Sequence, residues 1–248
     1  MDRSLLFSFA HPDDETFVTG GVACHYASQG VHLALVTATL GEAGKVGEPP
    51  VCTREELPAT REAELRAAAA WLGLGEPVLL GYRDRELATA PAAEIRQKLV
   101  TAIRAHRPQV VVTFDPNGSN LHPDHIAISR FTSDAITAAA DARWVPEAGE
   151  PHQVQRLVWT PPTRPWQFAR LDNPAAEPAV DYLFDIRRWS ARKAEALRLH
   201  RTQHLNVDRV FFSQPDADRL LSMEVFRHAF GPPPSTRPCA DFFDGLAP

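Results

Sequence analysis

The chain has 248 residues, 44% of them hydrophobic and 23% charged, which fits one large globular domain with a sizeable core. Its formal net charge of -5 argues against nucleic acid or an anionic membrane surface as the main partner, because both require a strong positive field. Cys24, Cys52 and Cys239 are scattered, with no C-x-x-C spacing, so neither a disulfide framework nor a thiolate zinc knuckle is expected, and a reducing compartment is.

The first apolar run, residues 5–10, predicts a strand and is too short for a signal-peptide core or a membrane span, so a cytoplasmic protein without membrane insertion is expected. Residues 15–28 read as a helix and residues 31–37, rich in β-branched side chains, as a second strand, which makes a βαβ opening. Residues 38–53 carry Gly and Pro and predict a loop. A helix over residues 54–72 follows, with Leu57-Pro58 marking its true start. A third strand is expected at 77–80, a helix at 91–106, and a fourth strand at 109–114, whose Val run implies burial on both faces. After a loop at 115–120, a helix from Pro123 to about Ala140 places Ile126, Phe131, Ala135 and Ile136 on one buried stripe.

Beyond residue 143 the pattern loosens. Strands are expected within 153–160 and 180–184, an amphipathic helix over 187–203, and neither helix nor central strand in the Pro-rich tail after Phe230. The whole predicts an α/β fold: a Rossmann-like, three-layer arrangement of a mostly parallel sheet with helices on both faces. Residues 1–248 form one domain, with a core sheet unit at 1–143 and an irregular C-terminal elaboration at 144–248 that completes the site.

Two matched strings carry the chemistry. His11-Pro12-Asp13-Asp14-Glu15 follows the first strand, and His122-Pro123-Asp124-His125 follows the fourth. Each reads as a helix start with His at the cap, Pro at the first helical position, and acids where the helix dipole favours them. Loops at the carboxyl ends of parallel strands are where ligands bind, so both strings should share one rim. A hydrolytic metal needs few protein ligands and an open position, which His11, Asp14 and His125 can provide. Asp13, turned away from its neighbour, is left as a general base, and His122 is placed to protonate the leaving amine or to bond the developing oxyanion. Glu15 is most simply a first-turn acid, and Gly20-Gly21 suits close helix packing; no G-x-G-x-x-G string follows the first strand.

These strings, together with Thr39-Leu40-Gly41-Glu42, Asp115-Pro116-Asn117-Gly118, Lys193 and His200-Arg201-Thr202-Gln203, resemble the LmbE-like (PIG-L) family of zinc-dependent N-deacetylases. The resemblance implies hydrolysis of an N-acetyl (N-acyl) group on an amino-sugar conjugate, with zinc held by His11, Asp14 and His125. It also implies Asp13 as base and His122 as its assistant. Arg61 and Asp84 resemble the family's substrate-binding residues, reaching sugar hydroxyls. The mycothiol-pathway member has a tyrosine where this chain has Asn120, which shifts oxyanion stabilisation to the metal and His122, or to a residue supplied by another loop. Two alternatives stand beside this reading. Two His and one carboxylate also bind ferrous iron, and a sugar-conjugate binding protein would keep the same pocket without turnover. The substrate and the oligomeric state, a homo-oligomer included, are left open.

Overall fold

The computed structural model describes residues 3–247. A seven-stranded sheet has the order β3-β2-β1-β4-β5-β7-β6. Strands β1 (Ser4–Phe9), β2 (His32–Thr39), β3 (Val78–Tyr82), β4 (Val110–Thr113) and β5 (Arg156–Trp159) pair in parallel. Strand β7 (Met223–Phe230) runs antiparallel to both its neighbours, β5 and β6 (Tyr182–Asp185). Every residue of β1 and β4 is buried, as their unbroken apolar character requires of strands covered on both faces. Helices α1 (Asp14–Ala27), α2 (Leu57–Leu72) and α6 (Ser190–Leu199) pack on one another, and α3 (Ala92–His106) packs on α5 (Pro123–Ala139). A single-turn segment, α4 (Gly118–Leu121), precedes α5. The α/β class and mostly parallel sheet expected from the sequence are present. None of the described helices is long and apolar enough to cross a membrane.

Three local expectations are corrected. The helix over 187–203 is broken: α6 ends at Leu199, His200 takes φ −80°, ψ 63°, and residues 201–203 form a separate 3-10 turn. The break coincides with the His200 imidazole reaching inward to Glu15. Strand β7 was not expected, and it fills the place between β5 and β6 that a two-strand reading of this region leaves empty. The first His-Pro-Asp string does not begin its helix at the histidine: the cap is Asp13, at φ 114°. In the second string the expectation holds, with His122 as cap, its side chain accepting from the Asp124 amide, and Pro123 at the first helical position.

Close packing of α1 depends on its glycines and on a buried ion pair. A Cβ on Gly21 would lie 2.5 Å from Ile186 Cδ1, so only glycine lets the chain before α6 approach. The Gly21 and Val22 amides each donate to Glu224, at 2.8 Å, while Lys193 Nζ donates to Glu224 Oε1 (2.7 Å) and to the Phe17 carbonyl (3.1 Å). Both side chains are deeply buried, at 2% exposure each. Replacing Lys193 by Met strands the Glu224 charge, and breaking such a pair costs about 3–5 kcal/mol. The expected result is a melting temperature lower by roughly 6–20 °C for a chain of this size, read by calorimetry; an unchanged melting temperature would show that the pair contributes nothing to stability.

Candidate metal centre

Strand order reverses between β1 and β4: the chain passes from β1 to β2 on one side and from β4 to β5 on the other. Such a switch point opens a crevice at the carboxyl ends of the strands. The turn after β1 supplies His11, Asp13 and Asp14 to this crevice, and the turn after β4 supplies His122 and His125. The connections after β2 and β3 add Gly44 and Asp84.

Three side chains turn donor atoms towards one another at the centre. His11 Nδ1 lies 3.2 Å from His125 Nε2 and 3.5 Å from Asp14 Oδ2, and His125 Nε2 lies 3.3 Å from Asp14 Oδ1. Tetrahedral ligands at about 2.0–2.1 Å from a cation lie about 3.3–3.4 Å from one another. The spacing thus fits one face of a tetrahedral site, with nitrogen and oxygen donors of the kind that zinc takes. His122 also presents a ring nitrogen within 4.8 Å of those of His11 and His125.

The outer atoms of both rings fix which nitrogen points inward. His125 Nδ1 meets the Gly118 carbonyl at 3.1 Å, and Phe114 stacks on the ring with centroids 4.0 Å apart and planes 4° apart. Gly118 adopts φ 66°, and a Cβ there would come within 2.6 Å of His125 Cβ, so this contact requires glycine. His11 Nε2 meets Asp84 Oδ1 at 3.1 Å and Asp124 Oδ2 at 3.2 Å. A second cluster of potential metal donors, His11 with Asp84 and Asp124, is therefore better explained as carboxylates receiving the outer ring proton of His11 while its Nδ1 faces the centre, the arrangement that commonly orients a histidine towards a metal. Asp124 is saturated by the Arg85 and Leu87 amides (2.6 and 3.2 Å).

Electrostatics match a cationic occupant. Burial lowers the basicity of His11, yet its hydrogen bonds to the carboxylates of Asp124, Asp14 and Asp84 outweigh this and raise its pKa well above the usual value. Burial works against the Asp14 carboxylate too, but His125 and His11 hold it well below its ordinary range. Asp84, whose burial is likewise overcome by His11 and the Ala43 amide, sits at about 2. The ring of acids is a surplus of negative charge of the kind a divalent cation neutralises.

Asp13 stands apart from this set. Its carboxylate is 3.4 Å from Arg61 Nη2, and burial pushes it up to about 6 against the opposing pull of that guanidinium. Arg61, expected as a sugar contact, is 3% exposed, donates to the Gly41 carbonyl at 2.8 Å and also bonds the Pro12 carbonyl. Asp84, the other expected sugar contact, is spent on His11 and the Ala43 amide (3.1 Å). Both side chains line the cavity but are committed to organising the protein. His122 Nδ1 accepts the Asp124 amide at 3.2 Å, which leaves the Nε2–H as the ring's donor. Burial, then the neighbouring His11 and His125, lower its pKa and keep it neutral. Asn120 turns its Oδ1 to the His122 amide (3.0 Å).

Sequence reasoning missed Asp124 as an orienting group and left Glu15 as a helix-start charge. Glu15 and His200 are both fully buried and bond at 2.9 Å. The available signal was the pairing of an acid inside one motif with a histidine at a helix end 185 residues away, which no local pattern encodes. Around these groups lies a cavity of about 260 Å³, walled on its outer side by Phe17, Trp166, Val210 and arginines 85, 164 and 209.

Comparison with known proteins places the chain among sugar N-deacetylases. The family model described as GlcNAc-PI de-N-acetylase matches residues 6–136. The chain is 37% identical over 239 residues to the 1D-myo-inositol 2-acetamido-2-deoxy-alpha-D-glucopyranoside deacetylase of Rhodococcus erythropolis, covering 81% of each chain. It is 34% identical to the deacetylase of the same name from Streptomyces avermitilis, over 100% of this chain and 98% of that one. Among solved structures, the conserved protein TT1542 of Thermus thermophilus superposes with a TM-score of 0.70 at 28% identity, over 96% of this chain and 98% of that one. The N,N'-diacetylchitobiose deacetylase of Pyrococcus horikoshii shares the fold, with a TM-score of 0.71 at 21% identity, over 92% and 84% of the two chains.

Proposed function

The chain belongs to the GlcNAc-PI de-N-acetylase (PIG-L) family, and from that premise we propose how its residues carry N-deacetylation of an amino-sugar conjugate. The supporting observation is the triangle of His11 Nδ1, His125 Nε2 and Asp14 at tetrahedral spacing, with the Asp13 carboxylate beside it, outside the triangle and against Arg61. His11, Asp14 and His125 would hold zinc. Bound there, the cation would supply Lewis acidity, acidifying water and polarising the amide carbonyl. Asp13, raised to about 6 by burial, accepts the proton of the attacking water. The Nε2–H of neutral His122 donates to the developing oxyanion, a task that Asn120, bonded to the backbone, does not share. Cleavage of the C–N bond, with the proton held by Asp13 passed to the departing amine nitrogen, releases acetate and the free amino sugar. Asp84 and Asp124 orient His11, and Arg61 holds Asp13.

The outer wall favours a particular kind of conjugate. Of the four arginines lining the cavity, only Arg61 is ion-paired among the described residues; Arg85, Arg164 and Arg209 leave positive charge uncompensated at the mouth. An aglycone bearing phosphate or carboxylate suits that wall better than a neutral polyol. Acetate release from zinc-loaded protein should be measured with N-acetylglucosaminides of neutral, phosphorylated and carboxylated aglycones. The expected result is turnover of the N-acetyl sugars, with kcat/KM higher for the anionic conjugates and the advantage shrinking as salt is raised. Absence of acetate from every conjugate would overturn the reading as a whole, whereas equal kcat/KM across aglycones would overturn only the role of the arginine wall.

A further inference from the structure

Asp13 adopts φ 114°, ψ −30°, a conformation that an L side chain holds only when its surroundings impose it, at a cost on the order of 1–3 kcal/mol. The imposing contacts come from a pair of groups that the reaction itself does not use. Glu15 Oε2 accepts the Asp13 amide at 3.0 Å, and Glu15 Oε1 accepts the Thr16 hydroxyl at 2.5 Å and His200 Nε2–H at 2.9 Å. Both side chains are 0% exposed. His200 Nδ1 is buried with no partner, so the ring's one hydrogen bond to a charged group is the one to Glu15. A buried polar group left half-satisfied is costly, and packing alone would be served as well by an apolar side chain. The same turn carries the Asp14 ligand on its far side, so the backbone at Asp13 decides whether its carboxylate stands apart from Asp14 or collapses onto it.

We propose that Glu15 and His200 form a positioning pair, outside the reacting atoms, which locks the turn at Asp13 and so aims the base at the water locus. The inference rests on Asp13 serving as base, as set out above. His200, arriving from the break after α6, holds the Glu15 carboxylate, and Glu15 holds the Asp13 amide. Because the pair acts through Asp13 alone, its loss should matter only while Asp13 is a competent base.

A double-mutant cycle tests this with zinc-loaded protein and an N-acetylglucosaminide. Glu15→Ala is expected to lower kcat by about 10- to 100-fold with KM within about twofold, as befits misplacement of a catalytic group. In an Asp13→Asn background the same substitution should have no further effect on the residual single-turnover rate, since sites acting through one group are not additive. His200→Gln, which keeps a donor near the Nε2 position, should retain most of the rate, and His200→Ala should reproduce the Glu15→Ala loss. Zinc content and melting temperature, measured on each variant, restrict the comparison to folded, loaded protein; if Glu15→Ala does not fold, the two His200 variants carry the same cycle. Additive losses in the Asp13→Asn background, or equal rates for His200→Gln and His200→Ala, would overturn the positioning role. Full activity of Asp13→Asn alone would instead overturn the base assignment, so the two failures are distinguishable.

Discussion

Turnover of the Asp13→Asn variant should fall by roughly 10²–10⁴-fold, the range that a positioned general base contributes, while zinc per chain stays at the wild-type level. The substitution is nearly isosteric, and Asn tolerates positive φ better than most residues, so the turn at φ 114° should survive. What it removes is the capacity to accept a proton. Asp13 is not among the three groups whose donor atoms converge: its carboxylate faces Arg61, and the His11, His125 and Asp14 triangle is complete without it. A drop in zinc content parallel to the drop in rate would mean that Asp13 is a ligand. Wild-type turnover at normal zinc content would mean that some other group takes the proton.

His125→Ala should behave differently, losing zinc and turnover together. One of the three converging donors disappears, and the Gly118 carbonyl loses the ring nitrogen that faces it. A ligand bound only by the folded state stabilises it by an amount set by concentration over Kd, about 4 kcal/mol at a thousandfold excess. Chelation should therefore lower the melting temperature of the wild type, and the variant, already without the cation, should melt at one temperature with or without chelator. Full zinc occupancy in His125→Ala would show that the cation sits elsewhere, the second cluster of His11, Asp84 and Asp124 being the place to examine next.

Much of the core was legible because its information is local. Unbroken apolar runs mark β1 and β4, and Pro at a first helical position marks α5. The repeated His-Pro-Asp string after two such strands points to one rim, and the structure brings His11, Asp14, His122 and His125 together there. What escaped depends on distant partners. Strand β7, Met-Glu-Val-Phe-Arg-His-Ala-Phe, lacks clean alternation because it must pair on both sides and also send Glu224 to α1. The helix through His200 reads as continuous, since periodicity says nothing of a buried acid that draws one of its residues inward. Arg61 and Asp84 show the same limit of local reading: their types suit a polyol and both line the cavity, yet their nearest groups are protein atoms.

The crevice divides its labour between connections. The converging donors come from the turns after β1 and β4, while the outer wall combines Phe17 of α1 and Arg85 after β3 with two later segments, Arg164 and Trp166 after β5 and Arg209 and Val210 in the C-terminal third. Arg164 and Arg209 thus hang from parts of the chain that supply none of the converging donors. Exchanging the segments that carry Arg164 and Arg209 should therefore change the preferred conjugate while the hydrolytic centre stays in place.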